Sequence, residues 1–180
     1  MKLNKALLIT SLILFGSLSG CVKDIPEPVT NADYFDQKME QVAITLANND
    51  MKRINRAAVL DFKNSDGRTS QLGRYLATKF ADITIRHQLY TLPSFGEVDN
   101  AIKAEGIKYN GTLDKESAQK LGRALNVEGL IVGIISDLQK GSDIDLIVSI
   151  IEVKSGNIIS SANINLLRSK SVSTMLDNIQ

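Results

Sequence analysis

The strongest constraint on the fold is an unbroken run of apolar and small residues from Gly129 to Ile135, with the sequence GLIVGII. The run is too short for a buried helix, and its isoleucine and valine content favours an extended strand. Continuously apolar strands are typical of sheets that are covered by helices on both faces. We therefore expect this segment to be a central, buried strand.

The segments before this run alternate between strand-like and helix-like patterns. Ala57 to Phe62 is a short apolar run bounded by polar residues, which predicts a strand. Gln88 to Leu92, which is ended by Pro93, is a second strand candidate. Apolar residues at helical spacing predict four helices: Ala32 to Asn48, Ser70 to Arg86, Phe95 to Ile102 and Ala118 to Leu125. This rhythm of strands and helices indicates βαβ crossovers and a partly parallel sheet.

The C-terminal part has a different pattern, which predicts antiparallel pairing. Ile144 to Val153 and Asn157 to Leu166 are strand-like runs joined by the hairpin signal Lys154-Ser155-Gly156. The loop from Gln139 to Ser142 predicts a hairpin with the preceding strand. An apolar stripe from Val172 to Ile179 predicts a short helix, which either closes the sheet face or contacts a partner.

The expected fold is therefore α/β, of the α+β type. It has a mixed sheet of about five strands, with βαβ crossovers first and antiparallel hairpins last, and helices packed on the sheet. A chain of 180 residues is consistent with one folded domain.

The N-terminus carries the features of an export signal. Lys2 and Lys5 precede an apolar stretch from Ala6 to Phe15, which is too short to span a bilayer and is followed by small residues. The segment Leu18-Ser19-Gly20-Cys21 resembles the bacterial lipobox, whose cysteine is lipidated and becomes the mature N-terminus. We thus expect a signal peptide at residues 1–20, a lipidated tether at 21–31 and the folded domain at 32–180.

Cys21 is the predicted lipid attachment site and the only cysteine of the chain. An odd cysteine in an exported protein needs an explanation, and lipidation leaves no free thiol. In the sorting scheme that the lipobox implies, aspartate after the cysteine favours the inner membrane, whereas Val22 stands here. The expected location is the periplasmic side of the outer membrane, where the lipid anchor holds the protein.

The charge balance argues against nucleic acid as a partner. Removal of residues 1–20 takes away two of the 21 basic residues and none of the 20 acidic ones, so the mature chain is close to neutral. A near-neutral protein has no electrostatic attraction to a phosphate backbone.

The loop from Lys63 to Ser70 lies between a predicted strand and a predicted helix, where phosphate-binding loops occur. Five residues, instead of four, separate Gly67 from Gly73, and no lysine follows the second glycine, so the nucleotide-binding motif is not matched. The helix N-terminus, with Lys63 and Arg68 nearby, leaves an anion site as one interpretation. A simple structural turn is the other.

Other candidate chemical groups are sparse. His87 is the only histidine, so it has few partners for a catalytic triad or a zinc site. Asp61 has no identifiable second catalytic group. Asp137, Asp143 and Asp145 cluster around a predicted hairpin, but their spacing differs from that of a calcium-binding loop. The sequence therefore predicts no catalytic, cofactor-binding or metal-binding residues.

Four stretches together resemble a family of envelope lipoprotein domains. They read RAAVLDFKNSDGRTSQLGRYLATKFADI, GEVDNAIKAEG, AQKLGRALNVEGLIVGII and SIIEVKSGNIISSANI. From about Arg56 to Leu166 the chain resembles the periplasmic domain shared by the flagellar lipoprotein FlgO, the curli secretion protein CsgG and the peptidoglycan-synthase activator LpoB. The resemblance implies a domain that binds other proteins or assembles into rings, with no enzymatic activity.

The members of this family differ in their membrane-spanning strands and in the length of their tethers. CsgG-type members carry extra membrane-spanning strands of about nine to eleven residues. Ile135 to Ile144 and Val153 to Asn157 leave room for tight turns only. LpoB-type members usually have a long tether, whereas the segment from Val22 to Thr30 is short. FlgO-type members fit the length of this chain and its lack of membrane-spanning strands best.

The leading expectation is a non-catalytic outer-membrane lipoprotein that assembles or stabilises an envelope structure, with the flagellum as the suggested one. An activator of a peptidoglycan synthase is the alternative, and a nucleotide- or phosphate-binding enzyme is a second alternative. The expected partners are the membrane and envelope proteins of the flagellar, secretion or cell-wall machinery. A homo-oligomer is compatible with the family resemblance.

Overall fold

Five helices and five strands form the part of the chain that the computed structural model describes, residues 31–50, 54–137 and 143–180. The helices are α1 (Asn31–Asn49), α2 (Gln71–Arg86), α3 (Phe95–Ala104), α4 (Lys115–Leu125) and α5 (Lys170–Asp177). The strands are β1 (Ala57–Val59), β2 (Lys63–Asn64), β3 (Gly129–Ser136), β4 (Ile144–Glu152) and β5 (Ile158–Leu166). The predicted signal peptide, Cys21, the tether before Asn31 and the whole Gln139 to Ser142 loop lie outside the described residues.

The sheet is mixed, and β3 is its central strand. β1 and β2 pair in parallel with one side of β3, which places Ala57 opposite Gly129 and Lys63 opposite Ile134. β4 pairs antiparallel with the other side, and β5 pairs antiparallel with β4. The strand order is β1-β3-β4-β5, with β2 also on β3. The prediction of a mixed sheet of about five strands, parallel first and antiparallel last, is confirmed.

The two faces of the sheet are covered by different helices. The larger core lies between one face and α1, α2 and α5, and includes Met39, Phe80 and Leu146. The smaller core lies between the opposite face and α3 and α4, and includes Leu121 and Leu130. Burial on both faces explains why β3 is apolar along almost its whole length.

The C-terminal helix closes the larger core. Val172 and Leu176 of α5 are buried in it. Of the two interpretations of the apolar stripe, core packing is therefore the one that the structure supports. The helix ends at Asp177, two residues before the predicted end at Ile179.

The predicted strand from Gln88 to Leu92 is wrong. Gln88 has a φ of 53°, and the Leu89 N–H donates to the carbonyl oxygen of Thr84, so this part of the segment turns away from the end of α2. Only Thr91 forms an isolated parallel bridge, with Arg56. The apolar residues of the segment are explained by packing, because Tyr90 is buried in the larger core.

The predicted strand from Ala57 to Phe62 is shorter than expected. β1 ends at Val59, although the Leu60 N–H still donates to the Ile131 carbonyl oxygen of β3 (3.0 Å). Strand pairing with β3 resumes at β2, which the sequence had not indicated. Between them, the ring of Phe62 lies over Gly133 of β3, where a Cβ atom would be 2.4 Å from the ring. The other helices and strands begin and end close to their predicted limits. No helix in the described part of the chain is long and apolar enough to cross a membrane.

Candidate functional site

The loop between β1 and α2 is held by buried side chains that bond within the loop. Ser70 is buried; its Oγ accepts from the Gly73 N–H (3.2 Å) and donates to Asn64 Oδ1 (2.8 Å). The Lys63 ammonium bonds to the hydroxyl of Thr69. Gly67 adopts a φ of 84°, which is the left-handed conformation that glycine tolerates. Ser70 is therefore an N-cap residue, and the loop has the geometry of a structural turn.

The C-terminal segment of the chain occupies the amino end of α2. The Gln71 N–H donates to the carbonyl oxygen of Asn178 (2.8 Å), and the Gln180 N–H donates to that of Thr69 (2.9 Å). A phosphate bound at a helix N-terminus needs free backbone N–H groups. Here the N–H groups of Gln71 and Gly73 already have partners, so the interpretation as an anion site is not supported.

The charges around the loop also disfavour an anion. A cleft of about 310 Å³ beside the loop is lined by Asp66, Asp137 and Asp177 but by only one cation, Arg68. Arg68 donates to Asp66 (2.7 Å), and this hydrogen bond lowers the pKa of the Asp66 carboxyl. Since Asp66 already balances Arg68, the cleft offers no uncompensated positive charge to a phosphate.

The remaining candidate groups lie apart and bond to other side chains. Asp61 pairs with Arg74 (2.8 Å). His87 Nε2 lies 2.9 Å from a carboxylate oxygen of Glu40, which links the end of α2 to α1. Through these contacts, the side chains of Asp61 and His87 connect neighbouring elements of the fold.

Two of the three aspartates around the β3–β4 connection bond to different residues. Asp137 pairs with Arg168, and Asp145 accepts a hydrogen bond from Asn165 (2.9 Å). Within residues 31–50, 54–137 and 143–180, no group of three or more histidine, cysteine, aspartate or glutamate residues is arranged to hold a metal ion.

Lys63 is the one basic residue of the loop in a partly buried position. Burial lowers the pKa of its ammonium group, while the nearby Asp61 acts in the opposite direction. The ammonium lies 5.2 Å from the centre of the Tyr109 ring, a favourable cation–π distance. The lysine thus connects the loop to the segment between α3 and α4, and its ammonium group is held by Thr69 and Tyr109.

A surface that the sequence analysis missed lies on the sheet face that carries α3 and α4. These helices cover the β1 side of that face, but they leave part of β4 and β5 uncovered. We call this uncovered part the open face; its residues are Ile147, Ile158, Ser161 and Asn163. Ile147 lies opposite Asn163 in the register, Ser149 lies opposite Ser161, and Ile158 lies opposite Ile151. The sequence carries a signal for this surface, because polar and apolar residues alternate along the second half of β5 and the polar ones are exposed.

Two lysines lie at one end of the open face, and we call them the basic rim. Lys115 begins α4, and Lys154 lies in the turn between β4 and β5. The Gln119 side chain donates to the carbonyl oxygen of Lys154 (2.8 Å), which fixes α4 against this turn. Gly156 has a φ of 72°, and a Cβ atom there would lie 2.7 Å from Lys115 Cβ, so the stem of this lysine packs directly on the turn.

No protein-family model and no curated protein sequence matches the chain. Solved structures do match. The LpoB C-terminal domain from Escherichia coli has a TM-score of 0.60 at 14% identity, covering 74% of this chain and 98% of that domain. The fold is similar to that of LpoB C-terminal domains. The domain from Salmonella enterica LpoB gives 0.58 at 13% identity, with the same coverage of 74% and 98%.

A more distant similarity concerns another lipoprotein. Lipoprotein GNA1162 from Neisseria meningitidis has a TM-score of 0.50 at 10% identity, covering 64% of this chain and 82% of that protein. At such identities the comparisons establish the fold alone. The resemblance to a domain of the LpoB type is confirmed as a resemblance of fold, while membership of the FlgO type stays a prediction.

We predict that Ser70→Ala lowers the free energy of unfolding by about 1–2 kcal/mol, because it removes the cap of α2 and the buried bond to Asn64. Urea denaturation of the purified domain measures this change. Thr78→Ala is the control, since the Thr78 hydroxyl is exposed and bonds only to a carbonyl of its own helix. Equal stability of the Ser70→Ala variant and the control would contradict the structural role of Ser70.

Proposed function

We propose that the chain is a non-catalytic lipoprotein on the periplasmic side of the outer membrane, and that its domain binds and stimulates a peptidoglycan synthase. The single observation that carries the proposal is the similarity of fold to LpoB C-terminal domains, which extends over 98% of their length. LpoB is the synthase activator of the family that the sequence resembles. The lipobox at Cys21 supports an anchored location.

The geometry of the candidate chemical groups agrees with a binding role. Ser70, Lys63, Asp61 and His87 all contact other residues of the domain and serve to join its elements. A catalytic group needs a free position beside a substrate cleft. The open face leaves apolar side chains exposed on the sheet, as protein-binding surfaces do.

The short tether restricts how the synthase is reached. Nine residues separate Cys21 from Asn31, and fully extended they span at most about 30 Å. The domain is therefore kept near the outer membrane if Cys21 is lipidated. On this proposal the docking segment of the synthase has to extend close to that membrane.

The short tether is also the observation that favours the second candidate, an assembly or stabilising factor of the flagellum. A flagellar structure that crosses the outer membrane would lie within reach of a domain held close to it. Deletion of the gene separates the two functions. Loss of motility with normal cell-wall synthesis supports the flagellar function, and a cell-wall defect with normal motility supports the synthase function.

We expect the purified chain without residues 1–21 to bind the periplasmic part of a peptidoglycan synthase from the same cell and to raise its rate of glycan polymerisation. Calorimetry measures the binding, and a polymerisation assay measures the rate. The same domain after thermal denaturation is the control, because stimulation by it would reflect a nonspecific effect. Absence of binding by a chain with native circular dichroism would contradict the proposal.

A further inference from the structure

We propose that the open face is the docking surface of the domain, and that the partner presents acidic side chains around an apolar one. The inference rests on the proposed function only in assuming that the domain binds an envelope protein. It adds the place of binding and the chemistry of the surface that is recognised.

The exposed apolar side chains of the open face lie together on one side of the sheet. Ile158 is 63% exposed and Ile147 is 40% exposed. Single exposed apolar residues are common on protein surfaces. Ile147 and Ile158 lie on the same uncovered sheet face as the uncharged Ser161 and Asn163, and the pair Asp145 and Asn165 borders Ile147. An apolar centre with a polar border is typical of a protein interface. This arrangement indicates an apolar contact at the centre of the bound state.

The positive charge at the edge of the open face favours a partner with acidic side chains. Lys115 and Lys154 form no ion pair with any residue that the structure describes, and both side chains are exposed. The stem of Lys115 packs on Gly156, which limits the directions that its ammonium group can take. Charged groups at the rim of an interface favour a partner of opposite charge and increase the rate of association. Acidic side chains on the partner complement this rim.

The basic rim and the start of α1 lie at opposite ends of β5. The Leu167 N–H, just after β5, donates to the hydroxyl of Tyr34 in α1 (2.7 Å). The start of α1 therefore lies near the C-terminal end of β5. Ile158 begins this strand of nine residues, so it lies about 25 Å away along the sheet.

The first experiment uses purified variants and the synthase fragment described above. We expect Ile158→Glu and the pair Lys115→Glu with Lys154→Glu each to weaken binding at least about tenfold. The matched controls are Ile85→Glu, at an isoleucine of α2 that is 59% exposed, and the pair Lys108→Glu with Lys170→Glu. The controls should change the Kd by less than about twofold. Thermal midpoints identify any variant that fails to fold.

The second experiment does not depend on the identity of the partner. A photo-crosslinking amino acid replaces Asn163 of the full chain in intact cells, with Thr78 on α2 as the control position, and the adducts are identified by mass spectrometry. We expect a discrete adduct at position 163 that is lost when Lys115 and Lys154 are both changed to glutamate. The control position should give none.

The outcomes separate the two proposals. Binding of the synthase that the open-face variants leave unchanged overturns the docking surface but leaves the proposed function intact. No binding of the synthase, together with a charge-dependent adduct at Asn163 to another envelope protein, overturns the proposed function but supports the docking surface. The absence of any adduct at Asn163, or an adduct that survives both lysine changes, overturns the docking surface.

Discussion

Replacement of Gly73 by alanine is expected to lower the free energy of unfolding by at least about 3 kcal/mol, or to prevent folding. A Cβ atom at this position would lie 2.1 Å from the carbonyl oxygen of Phe62 and 3.0 Å from its carbonyl carbon. Both are backbone atoms, and the Phe62 side chain is fully buried, so neither side of the contact can move without displacing core residues.

Thermal and urea denaturation of the purified domain measure this effect, and a loss of about 3 kcal/mol corresponds to a drop of about 10 °C in Tm for a domain of this size. Gly96→Ala is the matched control. Gly96 lies in α3 with no atom within 4 Å of an added Cβ, so alanine there should raise stability by about 0.5–1 kcal/mol. Similar stabilities of the two variants would show that α2 does not pack against Phe62 as described.

The second large effect is expected from Cys21→Ser, which should move the protein from the membrane fraction to the soluble periplasmic fraction. Each buried methylene of an acyl chain contributes about 0.8 kcal/mol to membrane binding, and two or more chains anchor a protein stably. Serine at this position offers no thiol for the lipid. Labelling with a radioactive fatty acid, followed by fractionation, measures both the modification and the location.

Val22→Asp is the companion variant, because it keeps the thiol and changes only the residue that follows. If the sorting scheme that the lipobox implies applies, this variant stays lipidated but moves to the inner membrane. Unchanged labelling and fractionation of Cys21→Ser would show that the anchor is not at Cys21. That result would remove the basis for the expected location of the domain.

The elements with strong local patterns were predicted well from the sequence. β3 and α2 have apolar residues at the spacing of a buried strand and an amphipathic helix, and Ser70 is the N-cap where the predicted helix begins. Gln88 to Leu92 shows the limit of the method. A segment of five residues with three apolar side chains is equally compatible with a strand and with a connecting segment that packs on the core, and only Thr91 forms a bridge.

The candidate site was predictable to a smaller degree. The choice between a phosphate loop and a structural turn at Lys63 to Ser70 depended on Asn178 and Gln180, which lie more than a hundred residues away in the chain and occupy the amino end of α2. The open face depended on how far α3 and α4 extend over the sheet. Neither fact is encoded in local periodicity, because periodicity reports which side of an element is buried and not which element covers it.

The sequence by itself predicts the export signal with its cysteine, and it determined the buried character of β3, the parallel-to-antiparallel change along the chain and the scarcity of candidate catalytic groups. Only the tertiary structure showed that the Gln71 N–H donates to the C-terminal segment and that the Phe62 carbonyl oxygen leaves no room for a side chain at Gly73. It also showed that Ile147 and Ile158 stay exposed. The first set depends on the chemistry and spacing of neighbouring residues. The second depends on contacts between residues far apart in the chain, which arise only when the helices and the sheet share one packed volume.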